Sequence, residues 1–137
     1  MKKSYFVTLA GIKDLAEKTA NMLRGGEVLG LVGPLGSGKT AFVKALAKYL
    51  KVKGKVTSPT FVLMNGFSAI LPQNKKPVLF WHLDLYRINN WREIKLLGLP
   101  EIWRRKNTVT VIEWADKIKS HLPKSSQLLY FDHAKVL

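Results

Sequence analysis

Read for hydrophobic period, the chain alternates short apolar runs with amphipathic stretches. Tyr5 to Leu9 alternates weakly and predicts a first strand, after which Ile12, Leu15, Ala16, Thr19, Ala20 and Leu23 recur at helical spacing. That helix is expected to end at Gly25-Gly26, because glycine enters the left-handed backbone of a helix stop without steric penalty. Val28-Leu29-Gly30-Leu31-Val32 is almost wholly apolar, the pattern of a strand covered on both faces of a parallel sheet. From Ala41 to Leu50, Phe42, Val43, Leu46, Ala47 and Leu50 share one stripe and leave Lys44, Lys48 and Lys51 for solvent.

The second half reads similarly. Thr57-Ser58-Pro59-Thr60 is loop-like, since Pro59 has no amide hydrogen and pushes Ser58 away from helix. Phe61 to Met64 reads as extended, and Ser68 to Pro77, with Pro72, Asn74 and Pro77, as a long surface hairpin connection. Val78 to Leu83 is a strong strand signal that ends on Asp84. Trp91 to Leu97 predicts a short helix stopped by Gly98, with a further turn from Pro100 to Arg105. Thr108 to Ile112 is a β-branched strand ending on Glu113, and Leu128 to Phe131 supplies a last strand. Strands alternating with helices, with no internal repeat or linker, predict an α/β fold with a largely parallel sheet. At 137 residues and 47% apolar content, one domain over residues 1–137 is expected.

Composition narrows the classes. The chain has no cysteine, which excludes disulfides, thiolate-metal centres and a Cys nucleophile. No apolar run approaches the ~20 residues of a membrane span, and the opening Met1-Lys2-Lys3-Ser4-Tyr5 does not read as a signal peptide. A soluble, unprocessed chain is therefore expected, and the lack of cysteine is compatible with a reducing cytoplasm. The 23 Lys and Arg against 9 Asp and Glu give a formal charge of +14, an imbalance that points to an anionic partner. No acid occurs between Glu27 and Asp84, whereas Lys39, Lys44, Lys48, Lys51, Lys53, Lys55, Lys75 and Lys76 do. Either a solvated lysine-rich surface or a nucleic-acid-facing patch accounts for these.

One segment carries specific chemistry. Gly33-Pro34-Leu35-Gly36-Ser37-Gly38-Lys39-Thr40 matches G-x-x-x-x-G-K-[ST] and sits after an apolar strand and before a helix, where a phosphate-binding loop belongs. Its glycines let backbone amides converge on phosphate oxygens, helped by the positive end of the helix that opens at Ala41. Lys39 can reach the β and γ phosphates and the Thr40 hydroxyl a magnesium ion, so ATP with Mg2+ is the expected ligand. Asp84 and Glu113 each end an apolar strand, the edge where α/β sheets place ligands, and are the candidates to complete the metal site and position water. Thr57, Ser58 and Thr60 lie where a γ-phosphate-sensing loop often follows, although a plain turn has the same composition. His82 reads as a packed core histidine, Arg87 as a residue that meets a phosphate or pairs with an acid such as Glu113, and Trp114 as packing.

Taken in order, the loop Gly33–Thr40, Thr57-Ser58-Pro59-Thr60-Phe61, His82-Leu83-Asp84-Leu85-Tyr86-Arg87 and Ile112-Glu113-Trp114 resemble the TsaE family of ATPases, which serves the making of threonylcarbamoyladenosine beside the anticodon of tRNAs. The resemblance implies a mostly cytoplasmic protein with a P-loop NTPase-like three-layer fold and weak ATPase activity alone. It also implies a role as nucleotide-driven partner of TsaB-like and TsaD-like proteins, with tRNA met mostly through that complex. By motif it gives Lys39 and Thr40 the triphosphate and magnesium, Thr60 a switch-like loop, and Asp84 and Glu113 the metal and water, with Trp114 beside them. By position it puts Thr8 and Leu9 near the adenine, together with a basic residue near the C-terminus for which Lys135 is the candidate. Pro34 and Ser37 depart from the family's usual acid and alanine. Two other classes compete: a small-molecule kinase, against which the chain lacks an arginine-rich lid segment, and an ATP-gated nucleic-acid-binding module, which rests on charge.

Overall fold

The structure is a computed structural model that describes residues 3–7, 9–54, 56, 64–96 and 98–131. Its strands are β1 (Lys3–Val7), β2 (Val28–Val32), β3 (Met64–Ile70), β4 (Pro77–Asp84), β5 (Thr108–Glu113) and β6 (Gln127–Phe131). They form one sheet in the order β1-β6-β2-β5-β4-β3. All neighbours pair parallel except β3, which pairs antiparallel with β4 and closes one side of the sheet as a hairpin. This is the mostly parallel α/β architecture expected from the apolar runs.

Helices α1 (Ile12–Met22) and α2 (Lys39–Tyr49) cover one face. Ala16 and Ala20 of α1 and Phe42, Val43 and Leu46 of α2 pack against Leu29, Leu31, Phe80, Val109, Val111 and Leu129 of the sheet. Short helices α3 (Trp91–Lys95) and α4 (Leu99–Ile102) and a 3-10 segment (Ala115–His121) cover the other, where Ile94, Leu99, Ile118 and Leu122 meet Val28, Ile112 and Leu128. Period-2 alternation sorts each strand between the two cores, so Leu29 and Leu31 enter one and Val28 the other. Burying a side chain such as Phe42 or Phe80 from water contributes roughly 1.5–3 kcal/mol; both are fully buried.

Gly30, inside β2, is required by this second layer. A Cβ there would lie 2.7 Å from Leu128 Cδ2 and 2.9 Å from Ala115 Cβ, so its absence lets the 3-10 segment lie directly on the strand. Several boundaries differ from the sequence reading: β1 ends at Val7 and Leu9 opens a 3-10 turn (Leu9–Gly11), α1 ends at Met22, ahead of Gly25-Gly26, and α2 opens at Lys39, two residues before Ala41. β3 runs through Ile70, with Ala69 and Ile70 opposite Val78 and Pro77, so the hairpin connection is only residues 71–76. Pro77 is tolerated because it is the first residue of its strand. Phe61, Val62 and Leu63, expected to be extended, lie outside the described residues, as does Leu97. Among the described residues no helix is long and apolar enough to cross a membrane.

Candidate functional site

The sheet order decides where chemistry gathers. β2, β5 and β4 are adjacent and parallel, so their carboxyl ends open on one edge. β2 runs into the Gly33–Thr40 loop, β5 ends on Glu113 and β4 ends on Asp84. Leu31 is level with Glu113, and Glu113 with Asp84. Because Val109, Val111 and Phe80 enter the α1–α2 core, alternation turns Glu113, His82 and Asp84 to the same side, toward the start of α2.

The loop takes its shape from two glycines. A Cβ on Gly33 would sit 2.5 Å from the carbonyl oxygen of Phe131 and 2.9 Å from Ser37 Oγ. Gly38, the residue before α2, is left-handed at φ 103°, a conformation that glycine enters without strain. The side chain of Lys39 is 5% exposed and folds back along the loop, with Nζ donating to the carbonyl oxygens of Gly33 and, at 3.1 Å, of Pro34. Burial pulls the Lys39 ammonium below its ordinary 10.5, and the charges of Glu113, Asp116 and Asp84 pull the other way.

Glu113 is the meeting point. It is 3% exposed; Thr40 Oγ1 donates to its Oε1 at 3.1 Å, and His82 Nε2 lies 2.6 Å from its Oε2. Half-buried Asp84 accepts the backbone amide of Tyr86 at Oδ1, 3.0 Å away. Trp114 follows Glu113 in the left-handed region at φ 61°, ψ 38°, and its ring lies 3.8 Å from Lys39 Nζ. Tyr86 packs on the same indole with ring centroids 5.2 Å apart, and Lys117 Nζ ties that segment down by donating to the carbonyls of Tyr86 and Ile88.

The structure therefore brings Gly33, Gly36, Ser37, Gly38, Lys39, Thr40 and Ala41 together with Glu113, and sets Asp84 beside Glu113 by register. Thr8, Thr60 and Lys135 lie outside the described residues, and of Leu9 only the backbone is described. Arg87 is exposed, and among the described residues the side chains that hydrogen-bond the Glu113 carboxylate are Thr40 and His82. His82, read from sequence as a packed core residue, touches Glu113, and Trp114, read by itself as packing but set beside Asp84 and Glu113 by the resemblance, faces Lys39. The clue for His82 lay in its spacing, two residues before Asp84 and hence on the same strand face.

These donors suit a hard cation that arrives with phosphates. Among the described residues no three His, Asp or Glu side chains form a metal cluster. A magnesium ion bound with a triphosphate takes one or two carboxylates from the protein and fills most of its remaining positions with phosphate and water. Ser37 Oγ is buried in the loop without a hydrogen-bond partner among the described residues, a polar atom that a phosphate oxygen or water would satisfy.

In sequence and fold the chain is similar to known proteins. The sequence profile of the family described as "Threonylcarbamoyl adenosine biosynthesis protein TsaE" matches residues 7–136. The Aquifex aeolicus protein named tRNA threonylcarbamoyladenosine biosynthesis protein TsaE is 41% identical over 107 residues, covering 77% of this chain and 70% of that one. The Bacillus subtilis protein of the same name is 36% identical over 113 residues, covering 82% and 65%. The crystal structure of YdiB from Bacillus subtilis superposes with a TM-score of 0.63 at 29% identity, over 90% of this chain and 71% of that chain. The chain thus spans about two thirds of the length of the curated relatives it matches.

Proposed function

The chain belongs to the TsaE family, and on that premise we propose that it binds ATP with Mg2+ in the Gly33–Thr40 loop and hydrolyses it in the service of tRNA threonylcarbamoyladenosine biosynthesis. The observation that carries the reading is the bond from Thr40 Oγ1 to Glu113 Oε1, which joins the end of the loop to a strand-end carboxylate across 73 residues of chain. A bare phosphate loop suits any nucleotide-binding protein. A loop with an acid at its metal-binding hydroxyl suits one that turns nucleotide over.

In this reading backbone amides of the loop, the start of α2 and Lys39 hold the phosphates. Thr40 and the acids Asp84 and Glu113 hold the magnesium ion and orient the attacking water; the ion supplies charge neutralisation at the β and γ oxygens. Thr8, Leu9 and Lys135 remain the proposed adenine contacts and Thr60 the proposed sensor of the γ-phosphate. The partners are a TsaB-like and a TsaD-like protein, for which the chain supplies nucleotide-driven conformational work.

Lys39→Ala should weaken ATP binding about 10- to 100-fold, since a charge-assisted contact is worth about 1.5–3 kcal/mol. Asp84→Ala and Glu113→Ala should retain binding and lose turnover. Full hydrolysis in both carboxylate variants would remove those roles. Mixing the protein with TsaB-like and TsaD-like partners and following ATP hydrolysis and multi-turnover tRNA modification tests the larger claim; stimulation of neither would put a small-molecule kinase ahead. A direct contact with tRNA has separate support, because Lys13, Lys44, Lys48 and Tyr49 of α1 and α2 line a concavity that, among the described residues, includes no acid.

A further inference from the structure

We infer that His82 is a positioning residue for hydrolysis, fixing the Glu113 carboxylate by its second oxygen. The inference rests on the ATP-hydrolysis reading above. A carboxylate only accepts hydrogen bonds, so the 2.6 Å contact requires the imidazole to present Nε2–H to Glu113 Oε2. The ring is fully buried on β4, and its Nδ1 has no partner among the described residues. A ring that carries its proton on Nε2 leaves a bare lone pair at Nδ1, a smaller penalty than a buried donor with nothing to meet.

What the contact accomplishes follows from counting bonds. Glu113 is nearly excluded from water, and a buried carboxylate with one donor is both poorly solvated and free to turn about its terminal torsion. Thr40 supplies the donor on Oε1 at 3.1 Å and His82 the donor on Oε2 at 2.6 Å. Two donors on opposite oxygens set the plane of the carboxylate as well as its place. They come from different elements, the start of α2 and the strand beside β5, so the plane is referenced to loop and sheet together. His82 needs no contact with nucleotide to matter, because the orientation of Glu113 sets where a water on that carboxylate lies. Outer partners of this kind typically account for 10- to 100-fold in activity.

The test compares His82→Leu, His82→Gln and Glu113→Gln with the wild type. Leu fills the space without a donor, whereas the Gln amide reaches about as far as Nε2 and can donate. His82→Leu should lower kcat 10- to 100-fold, toward Glu113→Gln, with the Kd for ATP by calorimetry within about threefold of wild type. His82→Gln should recover much of that kcat. In nucleotide-free protein the 15N spectrum of the imidazole should show a protonated Nε2 and a bare Nδ1, with the Nε2 signal moving in Glu113→Gln. An unchanged kcat in His82→Leu, an equal fall in kcat and ATP affinity without rescue by Gln, or an imidazole signal indifferent to Glu113→Gln would each overturn the inference. A wild-type protein that fails to bind ATP overturns the parent reading instead, and the inference with it, whereas the imidazole spectrum judges the His82–Glu113 contact without nucleotide.

Discussion

Lys39 holds a positive charge in a place that penalises it. Burial lowers its proton affinity from the ordinary 10.5, and the nearby acids Glu113, Asp116 and Asp84 restore part of it. A triphosphate brings further negative charge and raises that affinity again, so binding should take up a proton at alkaline pH. ATP affinity should accordingly fall as pH rises through the lowered value, below 10.5, and Lys39→Ala should show no such fall. Calorimetry in buffers of different ionisation heat reads the uptake directly; a binding reaction with none across the alkaline range would contradict it. The ammonium also faces the Trp114 ring at 3.8 Å, so displacing it onto phosphate should change tryptophan emission, and Trp114→Phe should abolish most of the change. At this scale the sequence was partly legible. Lys39 and Thr40 stand inside a local motif, and the period of Val109, Val111 and Glu113 turns the acid to the loop side. The His82 contact spans 31 residues and the left-handed Trp114 obeys no local residue preference, so neither could be read until the strands were paired.

Among the elements, the least legible was the cover of the second sheet face. Ala115–His121 is a 3-10 segment with a kink at Ile118, too short and irregular to show a helical period in sequence. It follows Glu113 and Trp114 directly and lies on Gly30, so the packing of β2 bears on the site. Gly30→Ala should destabilise the protein by about 1–3 kcal/mol through overpacking, measured by urea unfolding. Ala115→Gly removes the atom 2.9 Å from the added methyl, so the double variant should cost less than the sum of the singles. Simple additivity would mean that Leu128 alone absorbs the strain. The β3 boundary failed differently. Pro72, Asn74 and Pro77 signal a turn correctly, but side-chain composition cannot say how many flanking residues the antiparallel ladder recruits, and Ala69 and Ile70 pair all the same.

For the molecule as a whole, the unexplained quantity in the sequence is charge. α2 links the two relevant surfaces, since it starts at the loop and carries Lys44 and Lys48 along its exposed side. At ~1.5 Å per residue, these lysines lie roughly one and a half and two and a half turns along the helix from Lys39, beyond direct contact with phosphates that the loop would hold. They also line the concavity shared with Lys13 and Tyr49. The double reversal Lys44→Glu with Lys48→Glu should therefore leave ATP binding intact and flatten the salt dependence of tRNA binding. Each tRNA phosphate that is no longer neutralised takes about 0.7–0.9 off the slope of log affinity against log salt. Equal tRNA binding by the reversed protein would return the lysines to the role of a solvated surface.

The sheet order also has a consequence for biosynthesis. β2, which leads into the phosphate loop, is flanked by β5 and β6, both made after it, and β6 is completed only at Phe131. On the ribosome, the strand and its glycine loop emerge long before either neighbour can shield their backbone. Nascent chains arrested before Gln127 should not be retained by immobilised ATP, whereas chains arrested far enough past Phe131 to clear the exit tunnel should be. The nucleotide would then be a ligand of the finished protein alone, and cellular ATP could not serve as an early folding template for a half-made chain.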